Sequence, residues 1–160
     1  MPEFTITRRI DAPVEAVWEV LDDFGDIQRW NPGVKASALT SSGQVDQGST
    51  RHCDFSPIGA VNERIERHQP KERLTVDINE TFKLPISGAV ADFKLAPDGE
   101  STVLTLDYSY ALNRVGRMAK GITDRQMRKG IGGMVDGLEA ESERISDSSG
   151  AEEPGHGSGR

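Results

Sequence analysis

Cysteine is almost missing from this chain: there is one among 160 residues. A single thiol excludes an internal disulfide framework and any multi-cysteine metal centre. Long apolar runs are missing too. No stretch approaches the roughly 18 residues that a membrane-crossing helix needs, so no integral membrane segment is expected. The first residues, Met1-Pro2-Glu3-Phe4-Thr5, lack the basic-then-apolar form of a signal peptide, which points to a cytoplasmic setting. Basic charge is in deficit, with 19 Lys and Arg against 26 Asp and Glu and a net charge of −7. That balance favours solubility and argues against a nucleic-acid partner, which would need a basic face. There is no P-loop, no GxGxxG and no Gly-x-Ser-x-Gly nucleophile elbow. No cofactor is implied by any motif.

What is present suits one globular domain. The hydrophobic share is 35% and there are 17 glycines, an ordinary balance for a packed core. Residues 146–160 contain only small and polar side chains with repeated Ser and Gly, so a disordered tail is expected after a domain spanning 1–145. Residues 4–10 alternate as a strand. Asp11-Ala12-Pro13 then opens a helix carrying Val14, Val17, Trp18 and Leu21, which Asp22-Asp23-Phe24-Gly25 ends. A second short helix fits 26–30. Strands follow near 34–40, 49–55, 60–68, 73–80, 87–96 and 101–111, joined by turns such as Pro97-Asp98-Gly99. Short loops between successive strands favour antiparallel pairing, and the order is α+β. The last segment carries two apolar stripes on different faces: Val115, Met118 and Ile122, then Met127, Ile131, Met134, Leu138 and Ile145. One straight helix cannot bury both, so a short helix near 114–121 and a long one near 124–145 are predicted, with Thr123 and Gln126 as a capping box.

Alternation assigns faces. Arg51 shares one with Cys53 and Phe55, and Glu63 shares one with Val61 and Ile65. Both charges are therefore expected inside, on sequential strands, and paired, because an unpaired buried charge is very costly. The pair reads as a structural ion pair, as a polar anchor in a ligand cavity, or as an acid/base couple; no His on that face supports the third. Phe93, Leu104, Leu106, Tyr108 and Tyr110 continue the inner face, as do Ala89 and Ala91. Either tyrosine could bond a ligand or serve the core. His52 and Asp54 alternate on the outer face, but two ligands without a third make no metal site. Cys53 reads as a small core residue. Gly130, Gly133 and Gly137 lie close together on the long helix, each costing about 1 kcal/mol against Ala. The strip leaves room either for a ligand or for close backbone approach.

Three motifs, Ile10-Asp11-Ala12-Pro13, Val17-Trp18-Glu19-Val20-Leu21 and Trp30-Asn31-Pro32-Gly33, resemble the START/SRPBCC superfamily, the helix-grip fold of the birch pollen allergen, polyketide cyclases and lipid-transfer proteins. Gly48-Ser49-Thr50-Arg51, Gly59-Ala60-Val61 and Glu63-Arg64-Ile65 resemble its bacterial branch related to abscisic acid receptors. The resemblance spans about residues 4–145. It implies a curved antiparallel sheet of about seven strands around a long C-terminal helix, with an apolar cavity between them. It also implies that Lys35 and Glu63, with Arg51 nearby, anchor a ligand carboxylate; alternation of Val34, Ala36 and Ala38 instead turns Lys35 outward. The candidate ligand contacts are Lys35, Arg51, Glu63, Phe93, Leu106, Tyr108 and Gly133. The first reading is a binding or transport module for a small hydrophobic or amphipathic molecule (a lipid, an isoprenoid or a polyketide). The second is a cyclase/aromatase or dehydratase acting through Glu63, Arg51, Tyr108 or Tyr110. The third is an interaction domain with no ligand.

Overall fold

The computed structural model describes residues 2–157, with side chains for 2–149. Strand β1 (Glu3–Ile10) leads into helix α1 (Val14–Asp22) and a 3-10 turn over Phe24–Arg29. Six strands follow without interruption: β2 (Ala36–Leu39), β3 (Thr50–Asp54), β4 (Ala60–Gln69), β5 (Arg73–Phe82), β6 (Ile86–Asp98) and β7 (Ser101–Leu112). Helices α2 (Arg114–Met118) and α3 (Lys120–Gly157) close the chain. The stretch expected as a disordered tail, 146–160, instead continues α3 as far as Gly157, with side chains described only to Ser149.

The strands form one sheet in the order β1-β7-β6-β5-β4-β3-β2, and every neighbouring pair is antiparallel. Consecutive strands are neighbours, joined by short turns from β3 onward and by the longer loop 40–49 between β2 and β3. The exception is β1, which pairs with the last strand, from Glu3 opposite Ser109 to Ile10 opposite Thr102. Period-two alternation gives the sheet one buried face. On β6 and β7 that face carries Ala89, Ala91, Phe93, Leu95, Leu104, Leu106, Tyr108 and Tyr110. Against it pack Val17, Val20 and Leu21 of α1 and Met134, Val135 and Leu138 of α3. The architecture is the α+β helix-grip fold. Register slips beside Glu63, where Asn62 opposes Glu80 but Glu63 opposes Ile78, leaving Asn79 unpaired. A bulge of this kind bends the strand and re-aims the side chains beside it.

The C-terminal segment is broken where the two stripes require it. Asn113 caps α2, its Oδ1 accepting from the Gly116 N–H at 3.0 Å, and Ala119 (φ −121°, ψ 45°) interrupts the helical backbone. The long helix begins at Lys120 rather than near Asp124, so Thr123 sits inside it, buried, and not at a capping box. The second stripe is buried or half-buried, but the first is not: Val115, Met118 and Ile122 are 68%, 83% and 60% exposed. Two glycines seat these helices. A Cβ at Gly116 would lie 2.0 Å from the Pro85 carbonyl, and one at Gly137 would lie 2.0 Å from the Trp30 carbonyl. Ion pairs hold α3 along its flanks, Arg8 of β1 with Asp136 (3.0 Å) and Glu139 (2.6 Å), and Arg29 with Glu141. No described helix is long and apolar enough to cross a membrane.

Candidate functional site

Arg51 and Glu63 stand directly opposite each other on β3 and β4, because the short loop 55–59 sets that register. Both side chains point to the sheet's buried face, 6% and 9% exposed. Arg51 Nε donates to Glu63 Oε1 at 2.5 Å. Arg51 Nη1 donates to the Phe24 carbonyl at 2.9 Å, and the guanidinium lies 3.8 Å from the centre of the Phe24 ring. The turn that ends α1 thus supplies two further contacts for the cation: a carbonyl dipole and an aromatic face. Phe24 was not among the sequence candidates. Its only signal was an aromatic residue in a helix-stopping turn.

Cys53 lies beside the pair, with Sγ 3.8 Å from Glu63 Oε1. Burial, followed by the Glu63 charge, pushes its thiol up to about 12, so it remains neutral and unreactive near pH 7. Across the sheet, Ala89 and Ala91 keep β6 shallow between this charged pair and an aromatic wall on β7 and β1. Tyr108 lies 5.7 Å from Phe4 and 6.2 Å from Tyr110, centre to centre. Phe93 and Leu106 oppose each other in the next pair along, both buried. Burial and then the Glu63 charge raise the Tyr108 hydroxyl above its ordinary range, so it stays a neutral hydrogen-bond donor.

The two tyrosines differ in their partners. Tyr110 Oη donates to Asp124 Oδ1 on α3 at 2.5 Å; burial and that bond push its hydroxyl up to about 12. Tyr108 Oη has no protein partner among the described residues. Among the described residues Glu63 directs both of its contacts through Oε1, leaving Oε2 without one, and Arg51 Nη2 is likewise without one. Three polar groups on one apolar face therefore keep unused hydrogen-bonding capacity.

Five sequence candidates share this face: Arg51, Glu63, Phe93, Leu106 and Tyr108. Two do not join them. Lys35 is exposed, and its charge acts on Asp54, on the outer side of β3, because Val34 takes the inward position. Among the described residues, nothing beyond its own stretch of helix comes within 4 Å of the position a Cβ at Gly133 would take, and Lys129, Gly130 and Asp136 around it are exposed. The glycine strip therefore looks outward at Gly130 and Gly133 and meets backbone only at Gly137. Outside this face, an open groove of about 440 Å³ is lined by Thr5, Asp92, Asp107 and Tyr108 among others. Most of its wall is outer-face polar residues already engaged, Arg73 with Asp92 and Lys94 with Asp107. Among the described residues no three His, Cys, Asp or Glu side chains converge to hold a metal.

Residues 1–143 match the family model described as polyketide cyclase / dehydrase and lipid transport. Among solved structures, an aromatase/cyclase from a Streptomyces species is 18% identical with a TM-score of 0.78, covering 89% of this chain and 94% of its own. A START superfamily protein from Mycobacterium smegmatis is 17% identical with a TM-score of 0.72, covering 89% and 98%. A Thermus thermophilus protein is 18% identical with a TM-score of 0.76, covering 91% and 99%. These structures share the fold with this chain.

Proposed function

This chain belongs to the polyketide cyclase/dehydrase and lipid-transport family, and from that premise we propose that it binds or carries a small hydrophobic or amphipathic molecule on the inner face of its sheet. The observation behind the proposal is the set of unused polar groups, Arg51 Nη2, Glu63 Oε2 and Tyr108 Oη, on an otherwise apolar surface. None of the three is sealed from solvent, unlike Trp30 Nε1 and Ser142 Oγ, which are buried without a partner among the described residues, so a ligand's polar end would reach them and complete their hydrogen bonding. Phe93, Leu106 and the two alanines of β6 would hold the apolar remainder. Because Arg51 already compensates Glu63, the pair suits anchoring better than proton transfer. The proposed setting is cytoplasmic.

A cyclase/aromatase or dehydratase role is the second reading, favoured by one observation. Tyr108 is held neutral and unpartnered, so it could donate to a carbonyl oxygen of a bound polyketide-like chain. Native mass spectrometry of protein purified from its own host tests the first reading. A co-purifying small molecule is expected, retained less well by Glu63→Gln and Tyr108→Phe. Protein that carries nothing, and takes up no apolar fluorescent probe, overturns it. Chemical change in the captured molecule on incubation, lost in Tyr108→Phe, would establish the second.

A further inference from the structure

The chain is acidic overall, but its charge is not evenly spread. The stretch 113–129 holds six of the 19 basic residues and one of the 26 acidic ones. The basic residues are Arg114, Arg117, Lys120, Arg125, Arg128 and Lys129; the acid is Asp124, which is engaged by Lys120 and Tyr110. The same stretch carries the exposed stripe of Val115, Met118 and Ile122. On α3, Arg125 and Lys129 follow Ile122 by three and seven residues, within about 60° of it on the helix wheel. Both are exposed.

Two neighbouring turns extend the patch. Gly116 seats α2 on the β5–β6 turn, where the Pro85 carbonyl accepts from the Asn113 N–H and the Leu84 carbonyl accepts from Asn113 Nδ2. The β3–β4 loop packs on the same turn, since a Cβ at Gly59 would lie 2.3 Å from the Phe82 carbonyl. These turns add Ile58 (66% exposed), Phe82 (44%) and the exposed Lys83. Five large apolar side chains and a fringe of cations thus meet at one end of the molecule.

We propose that this end docks on an anionic lipid bilayer, with Met118, Ile122, Val115, Ile58 and Phe82 entering the interface and Arg114, Arg125, Lys129 and Lys83 meeting lipid phosphates. Apolar insertion and cationic attraction are the two signals that reversible membrane attachment combines. A nucleic acid would use the cations but leave the apolar side chains in water. An acidic chain would be repelled by an anionic surface in most orientations and held in this one, so the charge asymmetry also sets the orientation. Nothing here depends on a ligand beneath the sheet.

Vesicle co-sedimentation of the full chain tests this. Binding is expected to phosphatidylcholine vesicles containing phosphatidylglycerol at low salt, and to weaken sharply in high salt or without the anionic lipid. Met118→Asp with Ile122→Asp should remain folded, since both sites are exposed, and should bind at least tenfold more weakly. Arg114→Gln and Arg125→Gln should each cost about fivefold. Arg67→Gln, an exposed cation on β4, should change nothing. Absence of binding to the anionic vesicles overturns the proposal. So does undiminished binding by the double Asp variant, tighter binding to duplex DNA than to vesicles, or a dimer abolished by Met118→Asp in a chain that ignores vesicles.

Discussion

At the scale of single residues, the Arg51–Glu63 pair joins stability to recognition. Each charge is buried, and each is tolerable only because the other is there. Replacing Arg51 by Met would strand the Glu63 carboxylate among Cys53, Val61 and Ile65, at a cost of roughly 3–5 kcal/mol. The double variant, Arg51→Met with Glu63→Leu, should recover most of that loss, because it removes the uncompensated charge. Urea unfolding of both variants checks this; a double variant no more stable than the single one would show that the Phe24 contacts, not charge compensation, dominate. The inward aim of both residues was legible from alternation alone. The carbonyl and ring of Phe24 were not, since nothing in a one-dimensional pattern says that a turn 27 residues earlier folds over the guanidinium.

At the scale of elements, most strand positions could be read because period-two alternation and turn residues coincide throughout 60–111. The helical segment was harder. Its break was visible in the two stripes, but burial of the first stripe was expected and is not observed, since periodicity reports a face and not what covers it. The glycine strip was misleading for a related reason: three glycines at helical spacing serve different ends. A methyl group at Gly137 would collide with the Trp30 carbonyl, whereas one at Gly133 would meet nothing. Gly133→Ala is therefore expected to stabilise the chain by up to about 1 kcal/mol, and Gly137→Ala to lower its melting temperature. A melting curve for each distinguishes them.

The junction of α3 with β7 also carries a pH dependence. The Lys120 ammonium, and then the Tyr110 hydroxyl, hold the Asp124 carboxyl below its usual value. A carboxylate depressed in the folded state contributes stability that is present above its unfolded pKa and lost as pH falls through the folded one. Asp124→Asn should therefore lower the urea midpoint at neutral pH, and the difference from the parent should vanish in acid, below the ordinary carboxylate range. A difference that persists unchanged in acid would mean that the effect is packing and not charge.

At the scale of the whole molecule, the sheet is completed by its most distant strands. Among the described residues β1 has one strand neighbour, β7, and the residues that pair are about a hundred positions apart, Glu3 with Ser109 and Ile6 with Leu106. A chain ended before β7 would leave Phe4 and Ile10 without the strand that orders them. Cut after Asp98, it is expected to show no cooperative thermal transition by circular dichroism.

The same pairing has a consequence in time. During synthesis β1 leaves the ribosome first and must wait for β7 to follow it. At about 5–20 residues per second, a gap of some hundred residues amounts to roughly 5–20 s. Through that interval the apolar side of β1 is in water, and the nascent chain's exposure to chaperones and to its neighbours on the same message is set by the last strand to be made.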